Sequence, residues 1–136
     1  MTTPLNDSIT LGQAPRTMSE AVRIADGAPF TLEKAALDNM ARVSSRIQRA
    51  IEQGQTIYGL TTGVGDLVTT RLSPDRMTDT QLNMLRSHAC GVGPDLTVRE
   101  VRAMMAVTLK SLLQGYSGVT PALAQRIADM LNRQVT

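Results

Sequence analysis

The chain has 136 residues, of which 42% are hydrophobic and 19% are charged, and this is enough for one domain with a buried core. Its formal net charge of +2 is too small to steer a nucleic acid strongly, and two Tyr and one Phe provide few stacking platforms for single strands. The scarcity of aromatics and the eight Met disfavour a β-sandwich and favour an all-α fold.

Targeting signals and metal-binding patterns are missing from the sequence. It contains no apolar run near the roughly 20 residues of a membrane span, and residues 1–12 lack the apolar block of a signal peptide. We therefore expect a cytoplasmic protein that binds neither membrane nor nucleic acid. His88 and Cys90 are the single His and the single Cys, so we expect no disulfide framework and no metal site within the chain.

The first half of the chain predicts an arm followed by two helices. Residues 1–16 carry no periodicity and are expected to form an N-terminal arm, whereas residues 17–136 form one helical domain. A short helix is predicted from about Ser19 to Ala25. Thr31 is predicted to cap a second, amphipathic helix that ends near Gly54.

The middle of the chain predicts an extended piece, a loop and a helix. Thr56 to Tyr58 is expected to be extended, and Gly59 to Ser73 is expected to form a loop rich in Gly and Thr. Thr78 is predicted to cap a helix that runs toward His88.

The last third of the chain predicts two further helices. Thr97 and Glu100 have the spacing of a capping box, and the helix that they begin is apolar over most of its circumference as far as Gly115. Thr120 and Pro121 have the order of an N-cap followed by proline at the first helical position.

Two segments have residue types that suit catalysis. The first, Tyr58-Gly-Leu-Thr-Thr-Gly-Val-Gly65, is either a flexible connection or a mobile active-site loop with Tyr58 at its hinge. The second is Ser87-His-Ala-Cys-Gly-Val-Gly93, in which His88 is either a structural hydrogen-bonding residue or a site residue. A basic stripe on the long helix, formed by Arg42, Arg46 and Arg49, is either a solvated face or a phosphate-binding surface, and the solvated face is favoured because no aromatic or Gly-rich element accompanies it.

Four motifs in order resemble the aromatic amino acid lyases, the family of the histidine, tyrosine and phenylalanine ammonia-lyases and related aminomutases. They are the two segments above, followed by Val101-Arg-Ala-Met-Met105 and Gly115-Tyr-Ser-Gly118. The resemblance extends from about Thr17 to Thr136 and covers the N-terminal portion of the family's chain. It implies an all-α, mainly helical fold with a Gly-rich active-site loop.

The resemblance also implies a reaction and a set of site residues. Family members eliminate ammonia from an aromatic amino acid by means of a methylidene-imidazolone electrophile formed from an Ala-Ser-Gly tripeptide. In this chain the base that removes the β-proton would be Tyr58. The loop closing over the substrate would contain Gly59, Thr61, Thr62, Gly63 and Val64, and the substrate-binding residues would be Leu60, Gly65 and His88.

The substrate and the type of reaction stay open at this stage. The position of His88 resembles that of the histidine-type members, whereas tyrosine-type members place their selecting His one residue earlier, where this chain has Ser87. The pair Leu60-Thr61 is more similar to the tyrosine type. The histidine type is therefore slightly favoured, and both ammonia elimination and amino-group migration remain open.

Two departures from the family pattern shape the functional expectation. Val64 stands where the family usually has Phe, and no Ala-Ser-Gly occurs in the 136 residues. We therefore expect this chain to be the N-terminal subunit or a fragment of such an enzyme, inactive alone. A second polypeptide or a missing C-terminal part would supply the electrophile and the central helices, in a homo- or hetero-oligomer. Two alternatives are an inactive binding or regulatory module derived from the same family, and a helical interaction domain that uses the Arg stripe.

Overall fold

The structure is a computed structural model that describes residues 9–14, 17–65, 69 and 72–136. The described chain is mainly helical, as predicted. Its elements in chain order are β1 (Ile9–Leu11), α1 (Met18–Ala25), β2 (Phe30–Leu32), α2 (Lys34–Glu52), α3 (Pro74–His88), α4 (Val98–Leu112) and α5 (Pro121–Asn132).

The chain divides into two compact units. Unit 1 comprises Met1–Ser45 and Asp95–Thr136, and unit 2 comprises Arg46–Pro94. Among the described residues, every buried hydrophobic side chain belongs to unit 1. Within those residues, none of the helices combines the length and the apolar character that crossing a membrane requires.

A two-stranded parallel sheet begins unit 1. Ile9 pairs with Phe30 and Leu11 pairs with Leu32, and all but Leu32 of these four side chains are buried. Ile9 to Leu11 belong to the segment that was expected to be an arm without periodicity. A strand of three residues is too short to show alternation, and its partner is about twenty residues away, so local pattern does not reveal it.

The predicted cap of the long helix is wrong. Thr31 lies in the middle of β2, where its hydroxyl oxygen is 3.3 Å from that of Thr10 on β1. The helix itself begins at Lys34 and ends at Glu52, close to the predicted end at Gly54. Thr31, which the local sequence assigns to a helix end, therefore belongs to a strand that pairs with a distant strand.

Helix α4 is central to the packing of unit 1, because it contacts both α1 and α5. Its Ala106 and Leu109, with Leu113 just after it, are buried in the core. The remaining core side chains come from the sheet, α1, α2 and α5: Ile9, Leu11, Ile24, Phe30, Ala36, Met40, Ala124, Ala128 and Leu131. Other α4 side chains point away from this core, and Val98, Met104 and Val107 are exposed.

A buried arginine joins the ends of two helices in unit 1. The side chain of Arg102, 4% exposed, donates hydrogen bonds to the carbonyl oxygens of Ile24 (2.9 Å), Ala25 (3.0 Å) and Leu131 (2.9 Å). These carbonyls lie at the C-terminal ends of α1 and α5, where the last carbonyls lack intrahelical partners and the helix dipole favours positive charge. The carbonyls of Ile24 and Leu131 also accept from the N–H groups of Gly27 (3.0 Å) and Gln134 (3.2 Å). Arg102 thus fixes both helix ends from the second turn of α4.

Gly115 ends α4 as predicted, in a left-handed backbone conformation (φ +76). A Cβ atom at this position would overlap the side-chain nitrogen of Asn39, which donates to the carbonyl of Gln114 at 3.4 Å, but would lie 3.8 Å from the α2 backbone nitrogen of Met40. The position therefore favours glycine for its backbone angle, and a side chain there would displace the Asn39 amide.

Replacing Gly115 by Ala is expected to lower the free energy of unfolding by about 1–3 kcal/mol, because the substitution adds left-handed strain and displaces Asn39. Urea unfolding followed by circular dichroism measures the change. Gly91→Ala is the matched control, since a Cβ there meets nothing within 4 Å. Equal midpoints for the two variants would contradict the argument.

The predicted capping box at the start of α4 is confirmed. Thr97 accepts from the backbone N–H of Glu100, and the Glu100 carboxylate accepts from the Thr97 N–H at 2.8 Å. The Thr97 hydroxyl, which donates to the Glu100 carboxylate at 2.7 Å, and then the Thr97 N–H lower the pKa of Glu100 from its ordinary 4.5. One residue earlier, Arg99 contacts Asp26 at 2.6 Å (Nε to Oδ1), and this hydrogen bond lowers the pKa of Asp26 from 3.8.

These two carboxylates predict a loss of stability in acid. A carboxylate whose pKa is lower in the folded state stabilises the fold above its unfolded pKa, and that contribution is lost as pH falls through the folded value. We expect the thermal midpoint to be flat from neutral pH to about pH 5 and to fall below about pH 4. The double variant Asp26→Asn, Glu100→Gln should weaken this dependence. An unchanged acid profile in that variant would assign the loss to other groups.

Unit 2 contains the end of α2, the segment after it, and α3. Helix α3 begins at Pro74 with Ser73 as its N-cap residue, so the predicted cap Thr78, five residues later, is wrong. Pro at N1 starts a helix without needing its N–H. Of the predicted loop Gly59 to Ser73, residues 66–68, 70 and 71 lie outside the described residues. The side chains of Leu82 and Leu85 on α3 are exposed, the latter by 70%.

Candidate active site

The Tyr58 segment, defined here as residues 55–65, is irregular up to Ile57, without the strand pairing of an extended piece, and forms a turn from Tyr58 to Thr61. The backbone N–H groups of Leu60 and Thr61 both donate to the carbonyl of Ile57, at 3.1 and 2.9 Å. Gly59 has φ +68, a left-handed conformation that a side chain would strain. The turn at Gly59 therefore reverses the chain immediately after Tyr58.

Two buried threonines hold this segment in shape. The Thr61 hydroxyl accepts from the N–H of Ile57 at 2.7 Å and donates to the carbonyl of Gln55 at 3.1 Å. The Thr62 hydroxyl accepts from the N–H of Gly59 at 3.3 Å and donates to the carbonyl of Gly63 at 2.9 Å. These predicted site residues thus bond to the segment's own backbone, which supports the residues before and after Tyr58.

Tyr58 itself projects outward, and its side chain is 64% exposed. Its hydroxyl oxygen accepts a hydrogen bond from the N–H of Gly65 at 3.4 Å, which brings the two ends of the glycine-rich stretch together. Leu60 is half-buried and Val64 is exposed beside it. The phenol is therefore accessible to a bound molecule.

His88 is the last residue of α3, and its ring is exposed. Its Nδ1 lies 2.8 Å from the carbonyl oxygen of Met84 and 3.1 Å from the hydroxyl of Ser87. Because a carbonyl only accepts, the bond to Met84 assigns the proton to Nδ1 and makes Nε2 an acceptor. The ring can therefore accept a hydrogen bond at Nε2 from a ligand.

The Tyr58 segment and α3 are linked by a side chain that the sequence analysis did not single out. Gln81 on α3 donates from Nε2 to the carbonyl oxygen of Gly59 at 2.8 Å. Gln81 precedes His88 by seven residues, a spacing that places both on one face of a helix. That spacing was readable from the sequence, whereas the partner of Gln81 was not.

The part of the chain that the structure describes contains no set of side chains arranged to bind a metal ion. No group of three or more His, Cys, Asp or Glu side chains is placed to hold an ion there. Cys90 is a free, exposed thiol two residues after His88. Unit 2 thus exposes a phenol (Tyr58), an imidazole (His88) and a thiol (Cys90).

Comparisons with known proteins identify the family. A family profile for aromatic amino acid lyases matches residues 16–136. Histidine ammonia-lyase from Geobacillus thermodenitrificans is 36% identical over 117 residues, which are 85% of this chain and 23% of that protein. Histidine ammonia-lyase from Streptomyces coelicolor is 35% identical over 130 residues, 95% of this chain and 25% of that protein. The chain belongs to the aromatic amino acid lyase family.

Solved structures share the fold. The structure of tyrosine aminomutase from Streptomyces globisporus is similar with a TM-score of 0.90 and 28% identity, over 96% of this chain and 25% of that one. Histidine ammonia-lyase from Trypanosoma cruzi is similar with a TM-score of 0.81 and 26% identity, over 93% of this chain and 24% of that one. The chain spans about a quarter of the length of these relatives.

Proposed function

We propose that this chain supplies the base and a substrate-binding histidine of an aromatic amino acid ammonia-lyase. The observation that carries the proposal is the exposed phenol of Tyr58, held on a segment that is hydrogen-bonded to the helix carrying His88. Removal of a weakly acidic β-proton needs a base at a defined position, and this segment holds its residues by backbone and threonine bonds. Histidine is the favoured substrate because two relatives at 35–36% identity are histidine ammonia-lyases.

The electrophile of this reaction would come from outside these residues. The family's methylidene-imidazolone acts as an electron sink for the substrate amine, and it forms from Ala-Ser-Gly, which the 136 residues do not contain. The residues present therefore lack the tripeptide from which this group forms. What they contribute is the proton acceptor Tyr58, the ring contact His88 and the Tyr58 segment that excludes water.

Exposed apolar surface supports the participation of further polypeptide. Met104 and Val107, both 59% exposed, lie one turn apart on α4, and Leu85 is exposed on α3. Apolar residues grouped on a helix face are typical of surfaces that pack against another element. We propose that the helices matching the rest of the relatives' length cover these faces, in a homo- or hetero-oligomer.

The test is a lyase assay on the complete assembly, meaning these 136 residues together with the Ala-Ser-Gly segment of the same source, whether on one polypeptide or two. Release of the α,β-unsaturated acid from histidine, tyrosine and phenylalanine is followed by ultraviolet absorbance. We expect turnover by the assembly, fastest with histidine, and none by the 136-residue chain alone. A correctly assembled complex that turns over none of the three would favour an inactive binding module instead.

A further inference from the structure

We propose that Gln81 is a positioning residue that sets the spacing between Tyr58 and His88, an inference that rests on the proposed function. The amide nitrogen of Gln81 holds the carbonyl oxygen of Gly59 at 2.8 Å. Gly59 directly follows Tyr58, so the bond attaches α3 to the backbone one residue after the Tyr that carries the phenol. The bond is partly buried, which shields it from competing water.

Helix geometry fixes the distance along α3 between Gln81 and His88. Gln81 and His88 are seven residues apart on α3, which places them on the same face and about 10 Å apart along the helix axis. The Tyr58 segment is thereby attached two turns before the imidazole. A substrate that reaches from phenol to imidazole would lie along this face, and its length would have to match the spacing.

The imidazole of His88 is held by contacts within α3 that do not involve Gln81. His88 Nδ1 bonds to the carbonyl of Met84, and Ser87 also donates to that carbonyl at 2.9 Å, so the ring is oriented by its own helix. The phenol end is connected to α3 through Gly59. Within the part of the chain that the structure describes, Gln81 is the side chain of α3 that bonds directly to the Tyr58 segment.

The first test measures amide hydrogen exchange by NMR in the full chain. In Gln81→Leu and Gln81→Glu, which remove the donor, the amides of residues 59–62 are expected to exchange roughly three- to tenfold faster, the change that one ordinary hydrogen bond corresponds to. Gln81→Lys, which keeps a nitrogen donor of similar reach, is expected to stay near the wild-type rates. Asn83→Leu, at an exposed position of the same helix, is the matched control.

Two exchange results would overturn the proposal. In one, residues 59–62 exchange at the wild-type rate in both donorless variants. In the other, the amides of residues 82–88 accelerate equally, which would assign Gln81 to the general stability of α3. Faster exchange confined to residues 59–62, with rescue by Gln81→Lys, supports it.

The second test measures turnover in the complete assembly. Gln81→Leu is expected to lower kcat at least about tenfold while KM stays within about twofold, because a displaced base impairs the proton transfer more than binding. An unchanged kcat in a variant whose segment exchanges faster would overturn the role in spacing. Absence of turnover in the wild-type assembly would instead overturn the proposed function and leave the exchange test to judge the Gln81 contact.

Discussion

Replacing Arg102 by Met is expected to lower the free energy of unfolding by about 3–5 kcal/mol. The substitution keeps the aliphatic volume and removes all three hydrogen bonds to the carbonyls of Ile24, Ala25 and Leu131. Each of these carbonyls, at the ends of α1 and α5, would lose a charged donor, and those of Ile24 and Leu131 would keep the backbone N–H groups of Gly27 and Gln134. A loss of this size is a large fraction of the 5–15 kcal/mol that stabilises a typical domain.

Two further variants separate geometry from charge at this site. Arg102→Lys keeps the positive charge but lacks the planar guanidinium that serves several acceptors at once, so we expect a loss of about 2 kcal/mol. Arg126→Met, at an exposed position on α5, is the matched control and should shift the urea midpoint little. A midpoint for Arg102→Met equal to that of the control would show that the three bonds contribute nothing measurable.

Features encoded locally were predicted from the sequence. The Thr97–Glu100 capping box, the start of α5 at Pro121 and the end of α4 before Gly115 all agree with the structure. Each depends on residues within one turn of the helix end, where side-chain capping and glycine geometry dominate. The family and the mainly helical fold followed from motifs that are likewise contiguous in sequence.

Features that depend on distant contacts were missed. Thr31 has the local character of a cap but pairs with a strand about twenty residues earlier. Arg102 looks like one more surface cation, and its buried role exists only because α1 and α5 bring three carbonyls to it. Gln81 was overlooked for the same reason, since its acceptor is the backbone of Gly59, twenty-two residues away.

The sequence analysis named the residues of the candidate site but did not separate those that support the backbone from those that would face a substrate. Tyr58 and His88 were singled out, and their roles stay proposals. Thr61 and Thr62 were grouped with them as loop residues, whereas their hydroxyls bond to the backbone of the Tyr58 segment. A threonine in a glycine-rich stretch suits either task, and only the burial of its hydroxyl separates a supporting residue from one that faces a substrate.

Replacing Tyr58 by Phe is expected to lower kcat of the complete assembly by about 10²–10⁴-fold, the range for loss of a general base. The change removes one oxygen, and with it the bond from the Gly65 N–H, while the ring and the turn at Gly59 remain. KM should change little, because the phenyl ring still fills its place beside the substrate.

Tyr116→Phe is the matched control for this variant. Tyr116 is 91% exposed in a turn of unit 1, so the same chemical change there should leave turnover unaltered. Gel filtration and circular dichroism establish that both variants assemble as the wild type does. If Tyr58→Phe then kept normal rates, the β-proton would have to go to another group. His88, exposed with Nε2 as acceptor, would be the next to test, by His88→Gln, because it is the other described acceptor in unit 2 that the proposed reaction places at the substrate.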